Sequence, residues 1–151
     1  MTDAVVTIPT ELPEVVFREA RDSDTAFLIS SWLRSFAASK LALLADADAY
    51  FRGYKPLVLA ALKRSRVLVA CQKADPDAIV GWVAVEPGDV PRLHYVYVKH
   101  PFRRFGIARR LVAPLLGAAV IYTHETPVLR RLRVPEGWRY DPFTFFAGAV
   151  T

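Results

Sequence analysis

The first third of the chain carries apolar residues at the spacing of a helix. They recur at positions i, i+3, i+4 and i+7, in the order Ile29, Trp32, Leu33 and Phe36. Polar residues fill the opposite positions, so the pattern predicts an amphipathic helix over residues 23–38, after a short strand over 15–19. A second helical segment is predicted over 46–64, where Pro56 should start a new turn or produce a kink.

From residue 66 the period changes to that of strands. Apolar, β-rich runs occupy 66–71, 79–86 and 92–98, and turn residues separate them at 73–78 and 87–91. This alternation predicts an antiparallel meander whose first hairpin has a six-residue connection.

The last third of the chain alternates helix and strand. We expect a helix over 106–116, a buried strand over 118–123, a short helix over 127–133 and a last strand over 143–150. The element order is then β-α-α-β-β-β-α-β-α-β. It predicts an α/β (α+β) fold with a mixed, mostly antiparallel central sheet flanked by helices.

Composition narrows the class of protein. The chain is 53% hydrophobic and 23% charged, which excludes a disordered chain because buried apolar area offsets the cost of ordering. Its length suits one domain over 1–151, with 1–14 as a loose N-terminal arm. A single cysteine, Cys71, excludes an internal disulfide scaffold. No apolar run is long enough for a membrane span and the N-terminus does not resemble a signal peptide. We therefore expect a cytoplasmic protein without a membrane partner, as a monomer or homodimer.

The positive charge is concentrated in one segment. The formal net charge is +5, yet residues 99–139 alone hold nine basic and two acidic side chains. A localised positive field suits an anionic ligand such as a nucleotide cofactor, a phosphate ester or nucleic acid. A basic surface that only aids solubility is the alternative interpretation.

One segment joins a strand, a basic turn and a helix: YVYVKHPFRRFGIARRL, residues 95–111. The first N–H groups of a helix lack intrahelical partners and lie at the positive end of its dipole. Gly106 and Ala108 would let an anion approach the backbone closely. Four arginines surround the turn: Arg103, Arg104, Arg109 and Arg110. These features fit a diphosphate, although neither the P-loop motif nor the dinucleotide-binding glycine motif is present.

The spacing Arg103-x-x-Gly106-x-Ala108 resembles the acyl-CoA-binding signature [QR]-x-x-G-x-[GA] of the GNAT N-acetyltransferase superfamily. The order of elements is similar to that family over about residues 15–150. The resemblance implies acetyl-CoA or a related acyl-CoA as cosubstrate, with its thioester between two splayed strands, the one before the motif and the next. It also implies binding residues. The main chain of Tyr97 and Val98 would bind the pantetheine arm. Arg109 would help to bind the pyrophosphate. The backbone N–H groups that would hold it belong to Arg103, Arg104, Phe105, Gly106, Ile107 and Ala108.

Three segments also resemble small GNAT-like proteins of phage and prophage genomes: FLISSWLRSF (27–36), residues 95–111 and GWRYDPFTFF (137–146). The favoured function is direct acyl transfer in a ternary complex to an amine of a small molecule or a protein. Covalent catalysis is disfavoured because Cys71 has no evident base. The phage likeness keeps a DNA-modifying enzyme, and so a nucleic-acid partner, as an alternative. A domain that binds CoA or a partner without catalysis is another.

Acyl transfer to an amine requires a base for the ammonium and an acid for the leaving thiolate. Glu86 and His94 are candidate bases, while Tyr122, His124 and Tyr140 are candidate acids. The alternatives are a solvated strand end for Glu86, a structural histidine at His94 and a core aromatic at Tyr122. The histidines do not have metal-ligand spacing, so no metal is expected.

Aromatic residues are concentrated in the two predicted N-terminal helices. In the family that the chain resembles, this region forms the wall of the acceptor pocket. The residues could hold an apolar or planar acceptor, or could be core residues. They are Trp32, Phe36, Tyr50, Phe51 and Tyr54.

Overall fold

The computed structural model describes residues 14–37, 39 and 45–149. For 147–149 it describes the backbone only. The expected N-terminal arm lies, up to residue 13, outside the described residues. The strands are β1 Val15–Glu19, β2 Arg66–Gln72, β3 Asp75–Glu86, β4 Arg92–Val98, β5 Ile121–Tyr122 and β6 Arg139–Tyr140. The α-helices are α1 Thr25–Phe36, α2 Ala47–Arg64, α3 Ile107–Val112 and α4 Pro127–Leu132.

The six strands form one mixed sheet in the order β1-β2-β3-β4-β5-β6. Strands β1 to β4 pair antiparallel, whereas β5 runs parallel to both β4 and β6. This sheet, with helices on both faces, confirms the predicted fold class and the antiparallel meander.

Alternation along the strands divides the core between the two faces of the sheet. Trp82 packs with α1 and α2 in an aromatic-rich cluster, whereas its neighbour Val83 packs with α3 and α4 in an aliphatic one. Such a period of two is what a strand buried on both faces requires.

The first hairpin is tighter than predicted. Strand β3 begins at Asp75, so two residues rather than six connect it to β2, and irregular pairing near Cys71 absorbs the difference. Pro76 is tolerated within the strand. It has no N–H to donate, and its carbonyl oxygen accepts a hydrogen bond of 2.9 Å from Arg18.

Proline has opposite effects in two helices. Helix α2 continues through Pro56, so this proline does not start a new helix. Helix α3, by contrast, ends at Val112 and continues as a 3₁₀ turn over Ala113–Leu115. Pro114 contributes to this end because it has no N–H to donate to the carbonyl of Arg110, four residues earlier. The predicted helix over 106–116 is therefore shorter.

The C-terminal strand assignments were wrong in position. The strand expected over 118–123 is limited to β5, and the last strand is β6 rather than 143–150. Residues Pro142–Ala149 instead form a 3₁₀ helix. Asp141 starts it, because its carboxylate accepts the Phe143 N–H at 3.1 Å and its carbonyl accepts the Thr144 hydroxyl at 3.0 Å.

Strand β4 carries the irregularity that shapes the site. Its pairing with β3 shifts between Ala84 and Val85, so His94 is an extra residue in β4. On the other side, β5 pairs only with Arg92 and Leu93. Beyond Leu93 the two parallel strands diverge, and the remaining length of β4 has no strand partner on that side within the described chain.

Candidate active site

The turn between β4 and α3 has an unusual backbone. Arg104 and Gly106 have φ angles of +73° and +78°, both in the left-handed region. Within the described residues, the N–H groups of the six residues from Arg104 to Arg109 have no hydrogen-bond acceptor. Consecutive free N–H groups in such a turn form a concave site for an anion. The Arg103 N–H, which was expected to join them, donates instead to the His100 carbonyl at 3.2 Å.

The open edge of β4 presents alternate peptide groups to the gap. The Lys99 N–H donates to Val80 of β3 at 2.7 Å. Because peptide groups alternate in an antiparallel ladder, Tyr97 also faces β3, whereas Val96 and Val98 face the gap. A Cβ on Gly81 of β3 would lie 2.8 Å from the Tyr97 carbonyl oxygen, in agreement with this orientation. Tyr97, whose main chain was expected to bind the pantetheine arm, therefore faces away from the gap. Val96 and Val98 are the residues whose main chain is open to it.

The arginines around the turn point in different directions. Arg103 turns inwards, and its Nε donates to the Val98 carbonyl at 2.8 Å. Arg109 donates to the Leu132 carbonyl at the end of α4 at 3.1 Å. Arg110 lies over the ring of Phe17, 4.5 Å from its centroid. Arg104 stays exposed beside the free N–H groups.

A cavity of about 800 Å³ lies beside the gap. Helices α1 and α2 form one side of it, β4 and the residues after β5 the other. Its lining is largely aromatic and includes Arg103 of the turn between β4 and α3, so the cavity and the turn are continuous. The aromatic members include Phe36, Tyr54, Tyr95, Tyr97 and Phe145.

The aromatic residues predicted for this region divide between wall and core. Phe36 and Tyr54 line the cavity, whereas Trp32 is fully buried and stacks on Tyr95 with ring centroids 4.8 Å apart. Phe51 points outwards and is 41% exposed.

A continuous chain of hydrogen bonds connects this cavity with the end of β3. Glu86 Oε1 lies 2.8 Å from His94 Nε2, and His94 Nδ1 lies 3.0 Å from Thr123 Oγ1. Thr123 Oγ1 lies 2.8 Å from His124 Nδ1, and His124 Nε2 is bonded to the Tyr54 hydroxyl. The structure therefore joins three of the five candidate catalytic residues: Glu86, His94 and His124.

Two arginines hold the carboxylate end of this chain. Arg64 Nε donates to Glu86 Oε1 at 3.1 Å, and Arg92 Nη1 donates to Oε2 at 3.4 Å. Burial raises the pKa of Glu86, but the hydrogen bonds from His94 and Arg64 outweigh it and keep that pKa below its ordinary value. Glu86 is therefore an anion at neutral pH, and it accepts hydrogen bonds without donating any.

The two histidines of this hydrogen-bond chain, His94 and His124, are neutral at neutral pH. Burial lowers the pKa of His124 to about 3, and the proximity of His94 acts in the same direction. Burial also lowers the pKa of His94, although the carboxylate of Glu86 opposes the effect. Burial raises the pKa of Tyr54, so its hydroxyl keeps its proton.

These protonation states fix the direction of every hydrogen bond. An anionic Glu86 requires the proton of His94 on Nε2, so His94 Nδ1 accepts from the Thr123 hydroxyl. Thr123 then accepts from His124 Nδ1–H, and His124 Nε2 accepts from the Tyr54 hydroxyl. All four hydrogens thus point from the cavity towards Glu86.

Tyr122 lies outside this arrangement. Its ring packs against Tyr140 at a centroid distance of 5.4 Å, and it is absent from the cavity lining within the described chain. Tyr140 does line the cavity, but no hydrogen bond of the described residues joins either tyrosine to the chain from Glu86 to Tyr54. Strand β5 ends at Tyr122, so the alternation of side chains along a strand does not continue to Thr123 and His124, and both of these line the cavity.

Sequence reasoning missed two members of the chain and its two arginine partners. Thr123 was not considered, and Tyr54 was considered only as an aromatic wall residue. Arg64 and Arg92 were also missed. A small hydroxyl residue between two candidate residues, in the run Tyr122-Thr123-His124, was the one available signal.

The buried histidines predict acid-sensitive stability. An unfolded histidine has a pKa of about 6.5, so below that pH the unfolded chain binds more protons than the folded chain. The free energy of unfolding should fall as the pH drops below about 6.5, by up to about 1.4 kcal/mol per pH unit for each buried histidine. Glu86, with its lowered pKa, adds the same sign below its ordinary value of 4.5.

Urea unfolding between pH 7.5 and 5 measures this dependence. The His124→Gln variant should flatten it, whereas His100→Gln, on an exposed turn, should not. A wild-type stability that stays constant over this range would contradict the burial of two neutral histidines.

The described residues contain no group of three or more His, Cys, Asp or Glu side chains placed to hold a metal ion. In the same part of the chain, no helix combines the length and the apolar character needed to cross a bilayer.

Comparison with known proteins identifies the family. The Acetyltransferase (GNAT) family matches residues 25–122, from the start of α1 to the end of β5. That segment is more than half of the chain and includes the turn, the open edge of β4 and Glu86. None of the curated proteins matches.

Solved structures share the fold at low sequence identity. A GCN5-related N-acetyltransferase from Rhodopseudomonas palustris superposes with a TM-score of 0.56 at 14% identity, over 83% of this chain and 82% of the other. YhbS from Escherichia coli, a GNAT family N-acetyltransferase in complex with CoA, gives 0.50 at 22% identity, over 72% of this chain and 58% of YhbS. Apo-form YjaB from Escherichia coli gives 0.50 at 22%, over 68% and 65%. The chain thus spans less than two thirds of YhbS and YjaB. In agreement with this shared fold, the match over residues 25–122 shows that the chain belongs to the GNAT acetyltransferase family.

Proposed function

We propose that this protein transfers an acetyl or similar acyl group from acyl-CoA to an amine by direct attack in a ternary complex. The observation that carries the proposal is the free backbone between β4 and α3. Six N–H groups that have no acceptor among the described residues lie next to an unpaired strand edge, and both adjoin a largely aromatic cavity. Family membership supports acyl transfer as the chemistry.

The residues of the turn fit the CoA diphosphate. The N–H groups from Arg104 to Ala108 offer donors to its oxygens, and Gly106 leaves open space where a Cβ would stand. Arg104 adds a permanent positive charge. The N–H groups of Val96 and Val98 are available to the pantetheine amides, in the manner of an added strand. CoA supplies the activated thioester carbonyl when bound.

The cavity supports an amine attached to an apolar or planar body. Its aromatic walls provide apolar contact, and the exposed carboxylate of Glu125 at its edge offers a partner for a cationic group. A small molecule, or an amine of a protein presented at the opening, would satisfy this chemistry.

Glu86 is the proposed final proton acceptor. It is anionic, is held by Arg64 and Arg92, and is joined through His94 to the side of the site where β4 and β5 diverge. The proposal uses no cysteine nucleophile. Cys71 is fully buried in β2, where its Sγ contacts the Val16 carbonyl.

Incubation with [14C]acetyl-CoA and primary amines tests the function. Phenethylamine and tryptamine represent the aromatic acceptors that the cavity favours, and a lysine peptide represents protein acceptors. We expect label on at least one amine and a melting temperature raised by acetyl-CoA. A raised melting temperature without label transfer would support a CoA-binding domain that lacks catalysis. Neither effect at millimolar acetyl-CoA would contradict both interpretations.

A further inference from the structure

The hydrogen-bond chain between the cavity and Glu86 has no gap. Its inner members are buried, with fractional exposures of 0% for His94, 2% for Thr123 and 6% for His124. Tyr54 is 9% exposed and lines the cavity, whereas the Glu86 side chain is 18% exposed at the opposite end. Burying five polar side chains in one line costs desolvation energy that an apolar core would avoid. The chain begins at the cavity with Tyr54 and ends at the partly exposed Glu86, so it could carry a proton between them.

We propose that Tyr54, His124, Thr123 and His94 form a proton relay that connects the acceptor amine with Glu86. This inference rests on the proposed acyl transfer and deepens it. Tyr54 is then the catalytic residue that meets the amine. Thr123 is a positioning residue, because it connects the two imidazoles and touches no substrate itself.

The hydrogen-bond direction defines the first transfer. The acceptor ammonium gives a proton to Tyr54 Oη while the Tyr54 hydroxyl proton moves to His124 Nε2. The Nδ1 proton of His124 moves to Thr123 Oγ1, and the Thr123 proton moves to His94 Nδ1. The Nε2 proton of His94 moves to Glu86. The products are a neutral amine and a neutral Glu86. Tyr54, His124, Thr123 and His94 also remain neutral, so the raised pKa of Tyr54 and the lowered pKa values of the histidines are no obstacle.

After this transfer every hydrogen bond of the relay is reversed. Tyr54 now accepts from His124 Nε2–H, and its own proton points into the cavity. The amine attacks the thioester carbonyl, the C–S bond breaks, and the leaving thiolate takes the Tyr54 proton. Each proton then steps back from Glu86, which restores the original direction. The second proton of the amine nitrogen leaves to solvent, so one relay serves as base and then as acid.

Four variants test the relay in matched pairs. Thr123→Val keeps the shape of the side chain but removes the hydrogen bonds to both imidazoles, while Thr123→Ser retains the hydroxyl. Tyr54→Phe removes the hydroxyl at the cavity. Ser31→Ala removes a buried hydroxyl on α1 that donates to the Phe27 carbonyl at 2.7 Å, outside the relay and outside the cavity lining. The measurements are kcat and KM with acetyl-CoA and the best amine found, the solvent isotope effect on kcat, and the melting temperature.

Thr123→Val and Tyr54→Phe should lower kcat about 100-fold, the usual contribution of positioned proton transfer. KM for acetyl-CoA should not change, and Thr123→Ser and Ser31→Ala should retain most of kcat. The isotope effect of the wild type should depend on deuterium content along a curve, because several protons move together, and Thr123→Val should lose that curvature.

A Thr123→Val enzyme as fast as the wild type would overturn the relay while leaving acyl transfer intact. An equal loss in Tyr54→Phe and Ser31→Ala would overturn it as well, since the loss would then be structural. A wild type that transfers no label to any amine would overturn both the relay and the proposed function. Imidazole ¹⁵N shifts give a test without substrate. They should show His94 protonated on Nε2 and His124 on Nδ1, and the opposite tautomers would contradict the relay.

Discussion

Replacing Gly106 by Asp should weaken CoA binding at least about 100-fold, equivalent to about 2.7 kcal/mol. Two causes act together. Gly106 has a φ angle of +78°, where a residue with a Cβ is destabilised by about 1–2 kcal/mol. The new carboxylate would also stand beside the diphosphate, and like charges brought together in an interface cost several kcal/mol. Isothermal titration with CoA measures the change.

Gly106→Asn separates the two causes. Asn has nearly the same shape as Asp and is among the residues best tolerated at positive φ, but it has no charge. Nothing lies within 4 Å of an added Cβ at this position, so neither side chain is excluded by contact. The Asn variant should bind CoA much more tightly than the Asp variant. Equal affinity of Asp, Asn and wild type would show that the turn does not hold the phosphates.

Glu86→Gln should lower kcat by about 100-fold or more, with little change in the affinity for CoA. Gln retains an oxygen that accepts from His94 Nε2–H and from Arg64, and it loses the longer contact that Arg92 makes with Oε2 at 3.4 Å. It cannot take up a proton at neutral pH, so the loss should fall on kcat. Steady-state kinetics with saturating acetyl-CoA and a labelled amine measures it.

Glu19→Gln is the matched control for Glu86→Gln. Glu19 is an exposed strand-end carboxylate paired with Arg66 at 2.9 Å, remote from the cavity lining. Its loss should leave kcat unchanged. A Glu86→Gln enzyme that remains folded and turns over at the wild-type rate would exclude Glu86 as the final proton acceptor.

The fold was predictable where the local pattern and the tertiary context agree. Helix α1 and strands β1, β2 and β4 follow directly from the apolar period, since each has a face or a whole length to bury. The segment 143–150 failed because an aromatic run suits either a strand or a buried helical turn. Pro142 and the side chain of Asp141 decided in favour of the turn. Strand β5 was overestimated because apolar residues such as Val120, just outside the two-residue strand, are buried in the aliphatic cluster with α3 and α4.

The turn between β4 and α3 was predictable because all its parts are adjacent in sequence. A strand, a glycine and a helix start within a dozen residues define it, and Gly106 adopts the positive φ that its identity permits. The orientation of the strand edge was not predictable, because the extra residue His94 shifts the alternation along β4.

The relay could not be predicted, because its members come from separate parts of the chain. Tyr54, His94 and His124 meet only when α2 packs across the sheet, and Thr123 acquires its role because β5 ends one residue before it. Sequence reasoning identified the titratable residues by type. The hydroxyl residues between them depend on tertiary contacts.

Titration of ¹⁵N-labelled protein with CoA, followed through its backbone amide signals, tests the central claim most directly. The account predicts the largest shifts at Val96, Val98 and the residues from Arg104 to Ala108, with β1 and β2 little affected. Saturation of the protein with CoA while these amide signals stay in place would contradict it.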